Sequence, residues 1–221
     1  MDNCVLWDLD GTIVESEDVT FKNAMFSFAS NKINLNFSLK PNDFIGHEAK
    51  NIYKLLLKKN KIIDIEKYNL LYDKWYEDAV DYIKNNIKSI KPRENVIEIW
   101  KDCFNKGIKQ AVVTSSRSDI ARAYLKNVGL HKYCELLICI DDVEEAKPSK
   151  IPYLKALDEL KITNKQCVVV EDSMSGILSA TNAGIYTIAW VKDIENQKYF
   201  KANFVTKKLD LKLILESFNK I

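Results

Sequence analysis

The sequence of 221 residues lacks any apolar run approaching the roughly 18 residues that a membrane-spanning helix requires. Its first residues, MDNCVLWDLD, contain no basic segment followed by a long apolar stretch, so we expect no signal peptide. An excess of one charge is also missing, because 33 lysines and arginines stand against 31 acids, a formal net charge of +2. This balance gives no support to nucleic acid or an anionic membrane as a partner, so we expect neither.

Several chemical signatures are absent as well. The cysteines are odd in number and form no C-x-x-C pair, so they are expected to be buried, reduced thiols of a cytoplasmic protein. Neither G-x-x-x-x-G-K-[ST] nor G-x-G-x-x-G occurs, which excludes the nucleotide-binding sites that those motifs build. The cysteines are Cys4, Cys103, Cys134, Cys139 and Cys167.

What is present is an alternation of strand and helix patterns. Short runs rich in valine, isoleucine and leucine are typical of a parallel sheet that is covered on both faces. Amphipathic helical patterns lie between them, so the sequence predicts an α/β fold with a Rossmann-like, doubly wound parallel sheet. The expected strands are 4–9, 108–115, 135–140, 166–172, 186–191 and, more weakly, 203–206; the expected helices are about 93–106, 118–128, 150–161, 175–183 and 209–219.

The spacing of the first two strands is unusual, since about a hundred residues separate them where a short crossover would suffice. Within that interval, the stretch EKYNLLYDKWYEDAVDYI repeats apolar residues at steps of three and four, which indicates helix. We therefore predict that residues 16–90 form an inserted helical domain. Residues 1–15 and 91–221 are expected to form the Rossmann-like core.

Polar side chains follow three of the expected strands at the point where each ends. Because ligands bind beyond the carboxyl ends of parallel strands, we expect these side chains to converge. Carboxylates packed together raise one another's pKa or require a cation, and Mg²⁺ is the simplest hard cation with oxygen ligands. The side chains are Asp8 and Asp10 after the first strand, Thr114, Ser115 and Ser116 after the second, and Glu171, Asp172 and Ser173 after the fourth.

The neighbouring residues fit a phosphate group. Magnesium held by few carboxylates keeps open positions that phosphate oxygens fill. Gly11 allows the backbone to approach a phosphate closely, and the hydroxyls of Thr114, Ser115 and Ser116 are hydrogen-bond donors. Lys147 supplies a compact positive charge. The sequence therefore predicts a site for a phosphorylated ligand.

The motifs in this order resemble those of the haloacid dehalogenase-like hydrolase superfamily. They are DLDGT after the first strand, a Thr-Ser pair after the second, Lys-Pro before a helix, and VEDSMSGILSATNAG after the fourth strand. The resemblance spans residues 4–190, and the helical insertion is similar to the cap of the phosphoglycolate phosphatase and β-phosphoglucomutase branch. It implies a magnesium-dependent phosphatase whose cap closes over the site and selects the substrate.

The resemblance also implies a role for each matching residue. Asp8 resembles the nucleophile that becomes an aspartyl-phosphate, and Asp10 resembles the general acid and base. Thr114, with the backbone at Ser115, resembles the phosphate-binding motif, and Lys147 resembles the lysine that neutralises charge between nucleophile and phosphoryl group. The implied metal ligands are Asp8, the Asp10 backbone carbonyl, Glu171 and Asp172.

Single positions at which this sequence differs from particular family members reduce the number of activities that the resemblance allows. Asp10 stands at a position where dehalogenases and phosphonoacetaldehyde hydrolases lack an aspartate, which favours an oxygen leaving group that must be protonated. Thr20 and Ala49 replace a histidine and an arginine of the mutases, so hydrolysis of a small phosphate monoester is preferred to a sugar phosphomutase reaction. His47, in the inserted segment, is as consistent with an ordinary surface residue as with substrate selection.

Two readings outside catalysis stay open: a phospho-acceptor signalling module, and a catalytically silent, partner-binding member of the same fold. The acids of the segment DDVEEAK are expected to be a solvated loop and not a second metal site. Sugar phosphates, phosphoglycolate and nucleotide monophosphates all remain candidate substrates. A monomer or weak homodimer is expected.

Overall fold

The computed structural model describes residues 3–16, 18–19, 22, 77–78, 80–192 and 201–221. The chain forms two compact units, one made of residues 1–15 and 91–221 and the other of residues 16–90. In the second unit, residues 80–85 are helical, and Ile87–Ser89 forms a 3-10 turn. Most of the aromatic stripe predicted as helix lies outside the described residues, as do Thr20, His47 and Ala49.

The first unit is built on a six-stranded parallel sheet of order β5-β4-β1-β6-β7-β8. All six strands predicted from apolar runs are present, each slightly shorter than its run. A shorter pair, β2 and β3, forms a separate antiparallel ladder. The strands are β1 (Cys4–Trp7), β2 (Val14–Glu15), β3 (Lys91–Pro92), β4 (Lys109–Val113), β5 (Leu136–Ile138), β6 (Cys167–Glu171), β7 (Tyr186–Trp190) and β8 (Phe204–Thr206).

Helices cover both faces of this sheet, so the predicted doubly wound Rossmann-like fold is confirmed. Helices α3 and α4 pack on one face, and α1 and α5 contact the sheet and each other. Among the described residues, no helix is long and apolar enough to cross a membrane. The helices are α1 (Val96–Asn105), α2 (Ser118–Asn127), α3 (Ile151–Leu160), α4 (Met174–Asn182) and α5 (Leu211–Phe218).

Strand β1 lies at the centre of the sheet and is fully buried on both faces. Leu6 belongs to the core cluster under α3, together with Tyr153. On the alternate position, Trp7 stacks on Trp100 of α1 with ring centroids 5.3 Å apart, and its indole N–H donates to Gln110 at 2.6 Å. Burial on both faces explains why the sequence of β1 is continuously apolar instead of alternating.

The ladder of β2 and β3 was not predicted. It pairs Val14 with Pro92 and Glu15 with Lys91, the residues that flank the inserted segment. Directly after β3, the buried Arg93 donates through one guanidinium nitrogen to the carbonyls of Gly11 at 2.8 Å and Trp190 at 2.7 Å. Its guanidinium also lies 3.8 Å from the centre of the Trp190 ring. Arg93 thus ties the loop after β1 to the end of β7.

All five cysteines are free, and four of them are buried. Burial is the main cause that raises the pKa of Cys103 and Cys139 to about 12 each and that of Cys134 to about 11. At neutral pH these thiols therefore keep their protons. A thiolate nucleophile at these three positions is inconsistent with that chemistry.

Candidate active site

The register of the three central strands brings Asp8 beside two neighbours at the carboxyl edge of the sheet. Trp7 of β1 pairs with Val112 of β4 and Val170 of β6, so the next residue along, Asp8, follows between the last residues of those strands. Its backbone N–H donates to the Val170 carbonyl at 3.0 Å and continues the ladder. Asp8 is 7% exposed, which places a carboxylate in a nearly dry position.

The ammonium group of Lys147 forms hydrogen bonds with acceptors at the ends of β1, β4 and β6. Nζ donates to Asp8 Oδ1 at 2.7 Å, to the Val113 carbonyl at 2.8 Å and to Glu171 Oε1 at 2.6 Å. An ammonium group has three N–H donors, and these three acceptors satisfy all of them. Burial would lower the pKa of Lys147, but the charges of Asp8 and Glu171 outweigh it and hold the pKa well above its ordinary value. The lysine therefore stays charged beside Asp8.

Glu171 is fully buried, and protein donors surround both of its oxygens. Oε1 accepts from Lys147 and from the Tyr153 hydroxyl, the latter at 3.1 Å. Oε2 accepts from the backbone N–H groups of Asp172 and Ser173 at 3.1 and 3.2 Å, and from the Ser173 hydroxyl at 3.1 Å. The absence of a side chain at Gly176 leaves room for this carboxylate, because a Cβ there would lie 1.6 Å from Oε1.

The donor set of the cluster is suited to a hard divalent cation. Asp8, Glu171 and Asp172 are buried, and each offers an oxygen within 4.8 Å of the others. Asp8 and Glu171 share the one ammonium of Lys147, and burial, followed by the charge of Glu171, raises the pKa of Asp8 well above its usual range despite that lysine. A cation bound to these oxygens would balance the excess negative charge. The residues present thus fit a metal ion. Of the three acids, Glu171 has the least free oxygen surface for it, because its oxygens already accept five hydrogen bonds.

Asp10 lies on the loop after β1 and faces the loop after β4. Its Oδ2 accepts from the Ser116 hydroxyl at 2.6 Å and from the Thr114 hydroxyl at 3.5 Å. The Thr114 hydroxyl in turn accepts from the backbone N–H of Ser116 at 3.0 Å, which shapes this second loop. Ser115 lies on the same loop and is half-buried. Hydroxyl groups and an acid are therefore held together beside the Asp8 cluster.

The turn after Asp10 depends on Gly11, whose φ of 83° lies in the left-handed region that favours glycine. Its N–H donates to the Val14 carbonyl at 2.8 Å and closes the turn. The next residue, Thr12, is fully buried and donates through its hydroxyl to Asp172 Oδ1 at 3.3 Å. The first loop thereby contacts the acids that follow β6.

Comparison with known proteins agrees with this geometry. The family model for haloacid dehalogenase-like hydrolases matches residues 5–190. The chain belongs to that family. The PpaX protein of Caldanaerobacter subterraneus subsp. tengcongensis is 32% identical over 185 residues, which cover 84% of this chain and 80% of that protein. Pyrophosphatase PpaX of Halalkalibacterium halodurans is 27% identical over 203 residues, which cover 90% of this chain and 88% of that protein.

Among solved structures, β-phosphoglucomutase from Clostridium difficile superposes with a TM-score of 0.82 at 19% identity, covering 100% of this chain and 98% of that one. At this identity the likeness shows a shared haloacid dehalogenase-like fold. The resemblance drawn from the four sequence motifs is thereby confirmed at the level of family and fold.

Other acids in this haloacid dehalogenase-like chain have local structural partners. Asp141 accepts from the backbone N–H and the hydroxyl of Ser118 at 2.9 and 2.6 Å, at the start of α2. Asp142 accepts from the backbone N–H of Cys139 at 2.8 Å. Cys139, Asp141 and Asp142 lie close enough to one another to hold an ion. Both acids are exposed, however, and each accepts hydrogen bonds at the start of the neighbouring helix or turn. Local capping is the simpler account of this cluster.

Three residues at the site were not identified from the sequence: Thr12, Tyr153 and Gly176. Thr12 and Gly176 stand inside the quoted family motifs, yet nothing in a linear motif reveals that their partners are Asp172 and Glu171. Tyr153 follows Lys147 by six residues in KPSKIPY and reads as part of the apolar stripe of α3. It does pack in that core, but its hydroxyl reaches the active-site carboxylate.

Proposed function

We propose that the chain is a magnesium-dependent phosphatase that hydrolyses a small phosphate monoester through an aspartyl-phosphate at Asp8. The observation that carries this proposal is the contact of Lys147 with Asp8 at 2.7 Å, inside a buried cluster that also contains Glu171 and Asp172. A buried carboxylate held by one cation and flanked by further acids suits phosphoryl transfer, in which positioning and charge neutralisation supply most of the catalysis.

We assign a separate role to each of the two compact units of the chain. We assign the catalytic core to residues 1–15 and 91–221, which contain all the site residues named above. Residues 16–90 are assigned to the helical cap domain, since they form a compact unit of their own and residues 80–85 within it are helical. Substrate choice is assigned to that segment.

Two steps account for the reaction. An oxygen of Asp8 attacks phosphorus and forms the acyl-phosphate bond, while the ester oxygen leaves with a proton donated by Asp10. A water molecule, losing a proton to Asp10, then attacks the same phosphorus, which releases inorganic phosphate and restores the Asp8 carboxylate. Throughout, Lys147 remains charged and offsets the negative charge that gathers between Asp8 and the phosphoryl oxygens. Thr114, Ser115 and Ser116 supply donors to those oxygens.

We assign the metal to Asp8, Asp172 and the Asp10 backbone carbonyl. Glu171 is a further candidate ligand, although its oxygens already accept five hydrogen bonds. When bound, Mg²⁺ would neutralise phosphoryl charge and so allow one anion to approach another. The oxygen-only donor set supports this choice over zinc or another soft metal.

The substrate class has two candidates. A phosphate monoester follows from Asp10, which can protonate an alkoxide leaving group. Inorganic pyrophosphate is the second, because curated relatives that span most of this chain carry the name pyrophosphatase PpaX. Either leaving group needs the same proton from Asp10, so the site accommodates both. A mutase reaction has less support, since Thr20 and Ala49 replace the residues it uses.

A panel of phosphorylated metabolites that includes pyrophosphate, assayed with Mg²⁺ and after chelation, tests the proposal. We expect phosphate release only with the metal. Asp8→Asn should reduce the rate by at least about 1000-fold, because the amide is a poor nucleophile, without unfolding the protein. Asp158→Asn, an exposed aspartate on α3, is the matched control and should retain full activity.

Borohydride trapping identifies the intermediate. Reduction of an acyl-phosphate converts the aspartate to homoserine, which peptide mass spectrometry should locate at position 8 during turnover. A fully active Asp8→Asn variant, or a trapped residue at another position, would contradict the nucleophile assignment.

A further inference from the structure

Tyr153 is a buried polar residue that the proposed reaction does not use. It is fully buried in the first turn of α3, six residues after Lys147, and its ring packs in the core beneath the sheet. Packing alone would be served equally well by phenylalanine. The hydroxyl, however, donates to Glu171 Oε1 at 3.1 Å. Burial and then the charge of Glu171 raise the pKa of Tyr153 well above its ordinary value, so this hydroxyl keeps its proton and acts as a donor.

The same side chain also contacts the lysine. Lys147 Nζ lies 5.2 Å from the centre of the Tyr153 ring, within the range of a cation–π interaction. Tyr153 therefore contacts Lys147 with its ring and contacts Glu171, the partner of Lys147, with its hydroxyl. The two donors on Oε1, the Lys147 ammonium and the Tyr153 hydroxyl, together fix the direction in which that oxygen points.

That direction matters because the lysine has no spare donor. Its three N–H groups bond to Asp8, to the Val113 carbonyl and to Glu171, all within 2.6–2.8 Å. The Val113 carbonyl is part of the backbone and cannot move. If the Glu171 carboxylate rotates, the ammonium must follow it or lose one bond, and its distance to the Asp8 oxygen changes.

We propose that Tyr153 is a positioning residue that sets the place of the Lys147 ammonium against Asp8 by fixing the Glu171 carboxylate. The inference rests on the proposed function, in which Lys147 neutralises charge at the nucleophile. Tyr153 itself contacts no reacting atom in this scheme.

Tyr153→Phe tests the proposal because it removes the hydroxyl and keeps the ring. We expect kcat to fall about tenfold, the effect of losing one hydrogen bond to a charged group, with KM unchanged within about twofold. Tyr186→Phe is the matched control, since Tyr186 begins β7 at the opposite end of the sheet, and it should keep the wild-type kcat. A wild-type kcat in Tyr153→Phe, or a change confined to KM, would overturn the proposal.

A second readout does not depend on catalysis. In ¹⁵N-labelled protein, a buried ammonium with three acceptors exchanges slowly enough to give its own side-chain NMR signal, which Lys147→Arg identifies by its loss. We expect Tyr153→Phe to shift or broaden this signal and Tyr186→Phe to leave it unchanged. An unchanged Lys147 signal in Tyr153→Phe refutes positioning even where activity falls. If the wild-type protein hydrolyses no phosphate compound, the proposed function fails, while this signal still decides the role of Tyr153.

Discussion

Replacing Gly176 with alanine should be destabilising, although the position lies in a helix where alanine is usually the better residue. The added Cβ would lie 1.6 Å from Glu171 Oε1, 2.0 Å from Cδ and 2.3 Å from Oε2. Ordinary contacts begin near 3.4 Å, so the carboxylate must move by roughly 2 Å. Since Glu171 is fully buried and bonded on both oxygens, it has no solvent-filled space to enter.

The two opposing contributions can be compared. Alanine in place of glycine within a helix gains about 1 kcal/mol. Overpacking a well-filled interior costs about 1–3 kcal/mol, and each lost hydrogen bond to a charged group costs about 1.5–3 kcal/mol. With one of the five bonds to Glu171 broken, the free energy of unfolding should fall by about 1.5–5 kcal/mol. Activity should fall with it, because Lys147 loses its fixed partner.

Urea denaturation followed by tryptophan fluorescence measures this change, with the stacked Trp7 and Trp100 as reporters of the first unit. Ser175→Ala, one position earlier in α4, is the matched control and should leave stability equal or slightly higher. In a Glu171→Ala background the clash is absent, so Gly176→Ala should there stabilise by about 1 kcal/mol. If Gly176→Ala stabilises the otherwise unchanged protein, the reasoning about this contact is refuted.

Two further predictions concern the metal and the first loop. Mg²⁺ should raise the thermal unfolding midpoint of the wild type. Asp172→Asn should abolish this shift because it removes a proposed metal ligand, whereas Asp141→Asn should preserve it. Equal shifts in the two variants would exclude Asp172 as a ligand. Arg93→Lys should lower the free energy of unfolding by about 2 kcal/mol, since an ammonium loses the stacking and one of the two carbonyl bonds. The exposed Arg122→Lys should be neutral, and a neutral Arg93→Lys would contradict this account.

Much of the fold was predictable because burial on both faces leaves a simple mark in the sequence. The runs around Val5, Val112 and Val169 are continuously apolar, and strands of that kind belong in a covered parallel sheet. Once the sheet is parallel, the residues after each strand must share one edge. That reasoning predicted that Asp8 and Asp172, far apart in the chain, share one edge of the sheet, and their carboxylate oxygens do lie within 4.8 Å of each other.

The remaining features depend on contacts that no local pattern records. The ladder of β2 and β3 has two residues in each strand, too few for any periodicity. Tyr153 looks like one more apolar residue of an amphipathic helix until its hydroxyl is seen beside Glu171. The direction of the Glu171 side chain could not be predicted either. A run of acids after a strand indicates a metal site, but it does not show which of the acids bonds to Lys147.

The central place of β1 in the sheet has a consequence for how the protein is made. Its partners on either side, β4 and β6, lie more than a hundred residues further along the chain. During synthesis β1 can therefore complete its pairing on both sides only after residues near Glu171 have been made. Such long sequence separations slow folding, and no fragment that stops short of β6 can bring Asp8 and Asp172 together at this edge of the sheet.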